Sequence, residues 1–158
     1  MSRITKYTAA TLTVTLTEAL TIDGRDFGGI QTMSIPSIKD VTKRIVSITT
    51  TEATVLNFGA AIAPGTYIVG DVQYLRFSNL DDTNFITLTF ANENDDEFAV
   101  KLDKGHSLIV CGDVAGGMAD MIDAIDGTGL TYSLGDLKSI TADADTATCD
   151  LEIYVASS

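Results

Sequence analysis

The sequence predicts an all-β protein: a two-sheet antiparallel sandwich, jelly-roll-like, with at most one short helix. Three observations carry this. Short runs alternate apolar and polar residues with the period of two that a half-buried strand requires. Clusters of Asp, Asn and Gly interrupt those runs about every eight to twelve residues, the spacing of a sandwich or barrel. Threonine occurs 22 times in 158 residues, with no tryptophan, and threonine's branched β-carbon suits a pleated surface better than a helix.

Residues 1–8 lack strong alternation and are expected to form a flexible N-terminal arm; residues 9–158 are expected to form one sandwich domain. Thr11-Leu12-Thr13-Val14-Thr15-Leu16-Thr17 alternates strictly, which puts threonine on one face and aliphatics on the other. As a terminal strand it is a candidate sheet edge, open to pairing with another chain. Asp23-Gly24-Arg25-Asp26-Phe27-Gly28-Gly29 has the composition of a loop. Residues 30–38 predict a strand broken near Pro36, because proline has no N–H to donate to a ladder. Residues 44–48 and 54–58 predict two more strands, and Ala63-Pro64-Gly65-Thr66 a turn.

Residues 71–113 hold four alternating runs, 72–77, 85–90, 97–102 and 107–111, separated by Asp81-Asp82-Thr83-Asn84, residues 92–96 and Asp103-Lys104-Gly105-His106. Taken in order, they predict an antiparallel meander. Met118, Met121, Ile122 and Ile125 recur at helical spacing and predict a short amphipathic helix or a helical turn. Residues 127–135 are loop-like, and 148–155 form a last strand with Cys149, Leu151, Ile153 and Val155 on one face.

Composition narrows the function. The net charge of −12 repels phosphate backbones, so no direct nucleic-acid partner is expected. No cationic, apolar leader opens the sequence, and no apolar run approaches the roughly 20 residues that span a bilayer. The expectation is a protein that folds in a reducing cytoplasm, with Cys111 and Cys149 as free thiols by default, a disulfide between them left open, and no membrane partner.

Catalytic patterns are lacking. His106 is the single histidine and falls in a turn; there is no Gly-x-Ser-x-Gly elbow, phosphate loop or dinucleotide fingerprint. No enzyme activity, catalytic residue or cofactor is expected. The acidic clusters Asp81-Asp82, Asp95-Asp96-Glu97, and Asp136 with Asp143 and Asp145 offer oxygen ligands of the kind calcium takes, but Asp and Asn also build turns. Metal binding stays open at this stage.

The run Tyr74-Leu75-Arg76-Phe77-Ser78-Asn79-Leu80-Asp81-Asp82-Thr83-Asn84-Phe85-Ile86 resembles a hairpin phrase of tailed-bacteriophage virion proteins. Residues 98–107, 40–46 and 142–155 are also similar to that group, so the resemblance touches most of the chain from about Arg25 onward. It implies a non-enzymatic virion structural protein made in the host bacterial cytoplasm. Most directly it implies a capsid decoration or cement protein, often trimeric, whose partners are its own copies and the major capsid protein or another virion protein. The alternative is a tail-fibre or receptor- and glycan-binding sandwich module; a calcium-dependent lectin-like domain is a third reading. The candidate contact residues are the exposed threonines Thr11, Thr13, Thr15 and Thr17 and the cations Arg3, Lys6, Lys43 and Arg44.

Overall fold

The computed structural model describes residues 8–122 and 134–158. Among them it forms thirteen strands: β1 (Ala10–Glu18), β2 (Thr21–Ile22), β3 (Arg25–Asp26), β4 (Gly29–Ile38), β5 (Asp40–Ile48), β6 (Ala53–Gly59), β7 (Thr66–Ile68), β8 (Val72–Asn79), β9 (Ile86–Asn92), β10 (Glu97–Leu102), β11 (Ser107–Cys111), β12 (Leu137–Ala144) and β13 (Cys149–Ser157). No helix occurs among the described residues.

Two sheets face each other, ordered β11-β8-β13-β5 and β10-β9-β12-β6-β7. The pairings are nested. β9 pairs β10, β8 pairs β11, β6 pairs β12 and β5 pairs β13, all antiparallel. Successive pairs fall in alternate sheets, which is a long hairpin rolled into a jelly roll. The expected sandwich is therefore present.

The meander is corrected. The four runs between Val72 and Cys111 are strands, but β8 and β9 lie in different sheets, as do β10 and β11. Only β9 and β10 form a hairpin. Alternation says that one face of a strand is buried; it does not say which neighbour the strand pairs with.

The helix is corrected too. Residues 113–122 run through turns and isolated bridges, Asp113 to Gly117 and Ile122 to Gly135. Met118 and Ile122 are buried there, packed into the core by a folded loop. Gly117 has a positive φ, and its amide and carbonyl both bond Asp113, a closure no continuing helix permits. Ile125 lies outside the described residues.

The core sits between the sheets. Leu75, Phe77, Ile153 and Val155 from one sheet meet Leu56, Leu88, Phe90 and Ile140 from the other. Phe77 and Phe90 touch across the gap edge to face, with ring centroids 6.2 Å apart, a favoured aromatic geometry. The last strand buries Cys149, Leu151, Ile153 and Val155 as its alternation predicts.

β1 and β4 belong to neither main sheet. They pair with each other as a separate two-stranded ribbon. The break expected at Pro36 is a bulge: Ala10 pairs Ile38 and Leu12 pairs Ile35, so β4 carries an extra residue there, with Ser37 at φ 65°. The loop expected over residues 23–29 begins as a tight hairpin instead. β2 and β3 pair across Asp23-Gly24, both at positive φ (50° and 75°), the geometry of a type I′ turn. Residues 10–38 thus form one long β-arm.

Candidate functional site

The arm presents two chemically different faces. Leu12 and Ile35, Val14 and Met33, and Leu16 and Gln31 are cross-strand partners on one face; Thr13 and Ser34, Thr15 and Thr32, and Thr17 and Ile30 are partners on the other. The first face lies on the outside of the β11-β8-β13-β5 sheet. There Ile35 and Ile38 pack with Tyr74 and Ala156, joined by Leu12, Val14, Met33, Cys111 and Tyr154. The Met33 sulfur is 3.4 Å from the Cys111 thiol, which places the ribbon above β11, the outermost strand of that sheet.

Support ends there. Every residue from Thr15 to Thr32 is exposed. Eight residues, Thr15 to Ile22, lead to the Asp23 turn, so the arm reaches at most roughly 25 Å at the rise of a β-strand. It carries five large apolar side chains into solvent: Leu16, Leu20, Ile22, Phe27 and Ile30, between 50% and 67% exposed. Leu20 and Phe27 are joined by a backbone hydrogen bond of 2.8 Å. An isolated two-stranded hairpin is at best marginally stable in water; Ile30 lies on the threonine face of the ribbon and Leu16 on the other.

The candidate threonines Thr11, Thr13, Thr15 and Thr17 are all exposed, on the face of β1 turned away from the body. Among the described residues β1 pairs only with β4, so its other edge is open. Lys43 and Arg44 lie on β5, the opposite edge strand of the same sheet. They point to opposite sides of it. Lys43 faces outward, its ammonium 3.9 Å from a Glu152 carboxylate oxygen. Arg44 reaches across the sandwich and donates to the Val55 carbonyl at 2.6 Å, so it is committed to holding β5 to β6. The structure does not bring these two cations together with the threonines. Arg3 and Lys6 lie outside the described residues, as do the first seven residues of the expected N-terminal arm; Thr8 is exposed.

The outer face of the sheet holds one polar cluster. Arg76 donates to a Glu152 carboxylate at 2.6 Å and to the Ser78 hydroxyl, and its guanidinium lies 5.8 Å from the Tyr154 ring centre. The Arg76 hydrogen bond holds the Glu152 carboxyl below its usual range. Burial pushes the Tyr74 hydroxyl and the Cys111 thiol up.

The acidic clusters resolve as turn chemistry. One Asp81 carboxylate oxygen accepts from the Thr83 and Asn84 amides, at 2.7 and 2.6 Å, and these bonds hold its carboxyl below the ordinary range. Asn92 accepts from the Asn94 and Asp96 amides. Asp95 pairs with Lys138. Asp136 and Asp143 do not share a loop: they lie at opposite ends of β12. No group of three His, Cys, Asp or Glu side chains is gathered among the described residues. His106 is exposed in its turn, where its backbone bonds Asp103 and Asn79.

The residues that carry the sequence resemblance also have structural tasks. Asn79 is 2% exposed. Its amide donates to the Asn84 and Leu102 carbonyls at 2.9 and 3.2 Å, and its carbonyl accepts from the Asp81 amide at 3.0 Å. It fixes the crossing from β8 to β9. An apolar pocket of about 320 Å³ opens between β10 and β11 and is lined by Phe90, Phe98, Leu108, Val110, Met118 and other apolar side chains. It offers nothing to orient a reacting group.

Sequence reasoning reached the threonine face of β1 but missed the apolar end of the arm. The signal was present in Asp23-Gly24, a hairpin turn pair, flanked by Leu20, Ile22, Phe27 and Ile30.

No protein-family profile matches the chain, and no curated protein sequence matches it. A solved structure of Bacillus endospore appendages, described as a novel family of disulfide-linked pili, aligns over 100% of this chain and 96% of its own, with 9% identity and a TM-score of 0.43. A likeness that low transfers neither fold nor role.

Proposed function

We propose that the chain is a non-enzymatic structural subunit that works by contact, most specifically a decoration or cement protein of a phage capsid. The observation that carries this reading is the projecting arm: residues 15–32 are exposed and include five large apolar side chains. A protein that functions alone gains nothing from such a surface and risks aggregation; a protein that functions in an assembly requires one. Stable contacts bury on the order of 1,200–2,000 Å² in total, and an arm of this length reaches well beyond the body to supply part of it. The resemblance of residues 74–86 to virion proteins supplies the setting, with a homo-oligomer, a trimer on that resemblance, resting on the major capsid protein. The jelly roll is compatible with that role, though one fold hosts many functions.

Cryo-electron microscopy of the source particle tests the reading. Density for the sandwich at symmetry-related capsomer junctions is the expected result. Density confined to the tail, or none on any particle, rejects the cement role.

A further inference from the structure

The arm and the strand β5 occupy opposite margins of one surface. The arm crosses the outer face of the β11-β8-β13-β5 sheet, resting on Tyr74 and then on Cys111, and leaves the body over β11. At the other margin, β5 turns Val41, Lys43 and Ile45 outward, opposite Ala156, Tyr154 and Glu152 of β13. These three are also open to solvent: Val41 is 47% and Ile45 60% exposed, and the Lys43 side chain 59%. Two apolar patches thus lie on the same side of the molecule, at its two ends.

The arm is acidic and the β5 margin is balanced. Residues 15–32 contain Glu18, Asp23 and Asp26 against the single base Arg25. At the β5 margin Lys39 and Lys43 stand against Asp40 and the Glu152 that Lys43 approaches at 3.9 Å, while Arg44 points to the other side of the sheet. A surface without excess acid is distinctive in a chain of net charge −12. Within one molecule the two patches cannot meet, because the arm leaves over the edge away from β5.

We propose that the arm of one copy docks on the outward face of β5 of a second copy, so that the chain assembles head to tail. The inference rests on the structural-subunit reading above and names its first contact. If the β5 margin of one molecule sits beside the β11 margin of the next, the ribbon continues in its own direction across the junction, covering Leu16, Leu20, Ile22 and Phe27 with Val41 and Ile45. Burying a large aliphatic or aromatic side chain removes on the order of 100 Å² from water, so the four arm side chains on this face offer roughly 400 Å² of apolar surface. That is about half of the ~800 Å² each partner gives to a standard interface. Repeated in this one direction, the contact joins unlike surfaces and closes into a ring or extends as a filament.

The test uses the full chain in sedimentation velocity and light scattering. Phe27→Asp breaks the arm and Ile45→Asp breaks the β5 face. Both positions are exposed, and circular dichroism confirms that each variant is folded. The wild-type chain is expected to self-associate, and each variant to raise the dissociation constant by about tenfold or more. Mixed one to one, the variants are expected to form a discrete heterodimer, since the intact arm of the Ile45→Asp copy still finds the intact face of the Phe27→Asp copy. A wild-type chain that stays monomeric at about 100 μM, a range that detects even weak contacts, overturns the inference. So does association that Ile45→Asp leaves intact, which would mean arm-to-arm contact, and so does a mixture that fails to recover. A monomer that nonetheless decorates particles defeats this contact alone; a head-to-tail assembly found on no particle leaves the contact standing and defeats the capsid role.

Discussion

Replacing Asn79 with alanine should destabilise the fold far more than its place at a strand end implies. Three hydrogen bonds end on this side chain: to the Leu102 carbonyl, the Asn84 carbonyl and the Asp81 amide. Leu102 is 3% exposed and Asn79 itself 2%, so water cannot easily replace the lost donor at Leu102. An orphaned buried acceptor costs about 1–3 kcal/mol, and each of the two partly exposed bonds contributes about 0.5–1 kcal/mol net. The sum is about 3 kcal/mol. For a chain of this size that lowers the melting temperature by roughly 6–12 °C. Urea unfolding of Asn79→Ala against the wild type measures it, read as a shift in midpoint with unchanged slope. Asn79→Asp serves as the discriminating partner: it keeps the shape and an acceptor for the Asp81 amide but loses the two donated bonds. A loss below about 1 kcal/mol in Asn79→Ala would refute the idea that this side chain pins the β8-to-β9 crossing.

Further outcomes follow from particular contacts. Cys111 belongs to the cluster under the arm and Cys149 to the core between the sheets, so mild oxidation should leave the mass of the monomer free of an internal disulfide. Dithiobis-nitrobenzoate should reach Cys149 only on unfolding; a two-dalton loss, about one disulfide, would contradict the separation. Gly117→Ala should destabilise by about 3 kcal/mol, because φ is positive there and an added Cβ would stand 2.5 Å from the Gly70 carbonyl oxygen; chemical denaturation reads it, and a neutral result would refute the close approach. Asp81 and Glu152 both titrate below their usual range when folded. Their stabilisation is therefore complete above the unfolded values near pH 4 and is lost as pH falls through the lower folded values. Asp81→Asn should flatten the loss of stability between about pH 5 and pH 2; an acid limb parallel to the wild type would show that Asp81 does not contribute.

What the sequence disclosed and what it withheld divide along a physical line. Alternation was legible wherever one strand face is buried, as in β13, where every second residue from Cys149 to Val155 enters the core. Turn residues were legible because their job is local: Asp81 bonds amides two and three residues ahead. Pairing was not legible. β8 finds β11 and β13, both separated from it by many residues, and no period-two pattern encodes a partner. Met118 and Ile122 misled for a related reason, since four-residue spacing describes any loop that returns twice to the same apolar gap. The candidate site was half legible. Thr11 to Thr17 announced a strand with one polar face, but the exposure of Leu16, Leu20 and Ile22 depends on where the supporting sheet ends, which only the folded chain reveals.

The arm also explains why β1 alternates so strictly beyond the point where alternation helps its own body. Leu12 and Val14 are covered by the sheet beneath them, while Leu16, two residues on, is 50% exposed. Past Val14, burial within one molecule no longer accounts for the aliphatic residue in that register. A solitary hairpin would be expected to shed apolar residues where they meet water, because each exposed one adds to aggregation without adding to folding. This arm instead keeps large apolar residues out to its tip, in Leu20, Ile22 and Phe27. The same face that is needed for folding near the body is thus maintained where only another surface can cover it. That continuity, from an intramolecular contact into an unpartnered one on a single ribbon, is the strongest argument that the molecule is one part of a larger structure.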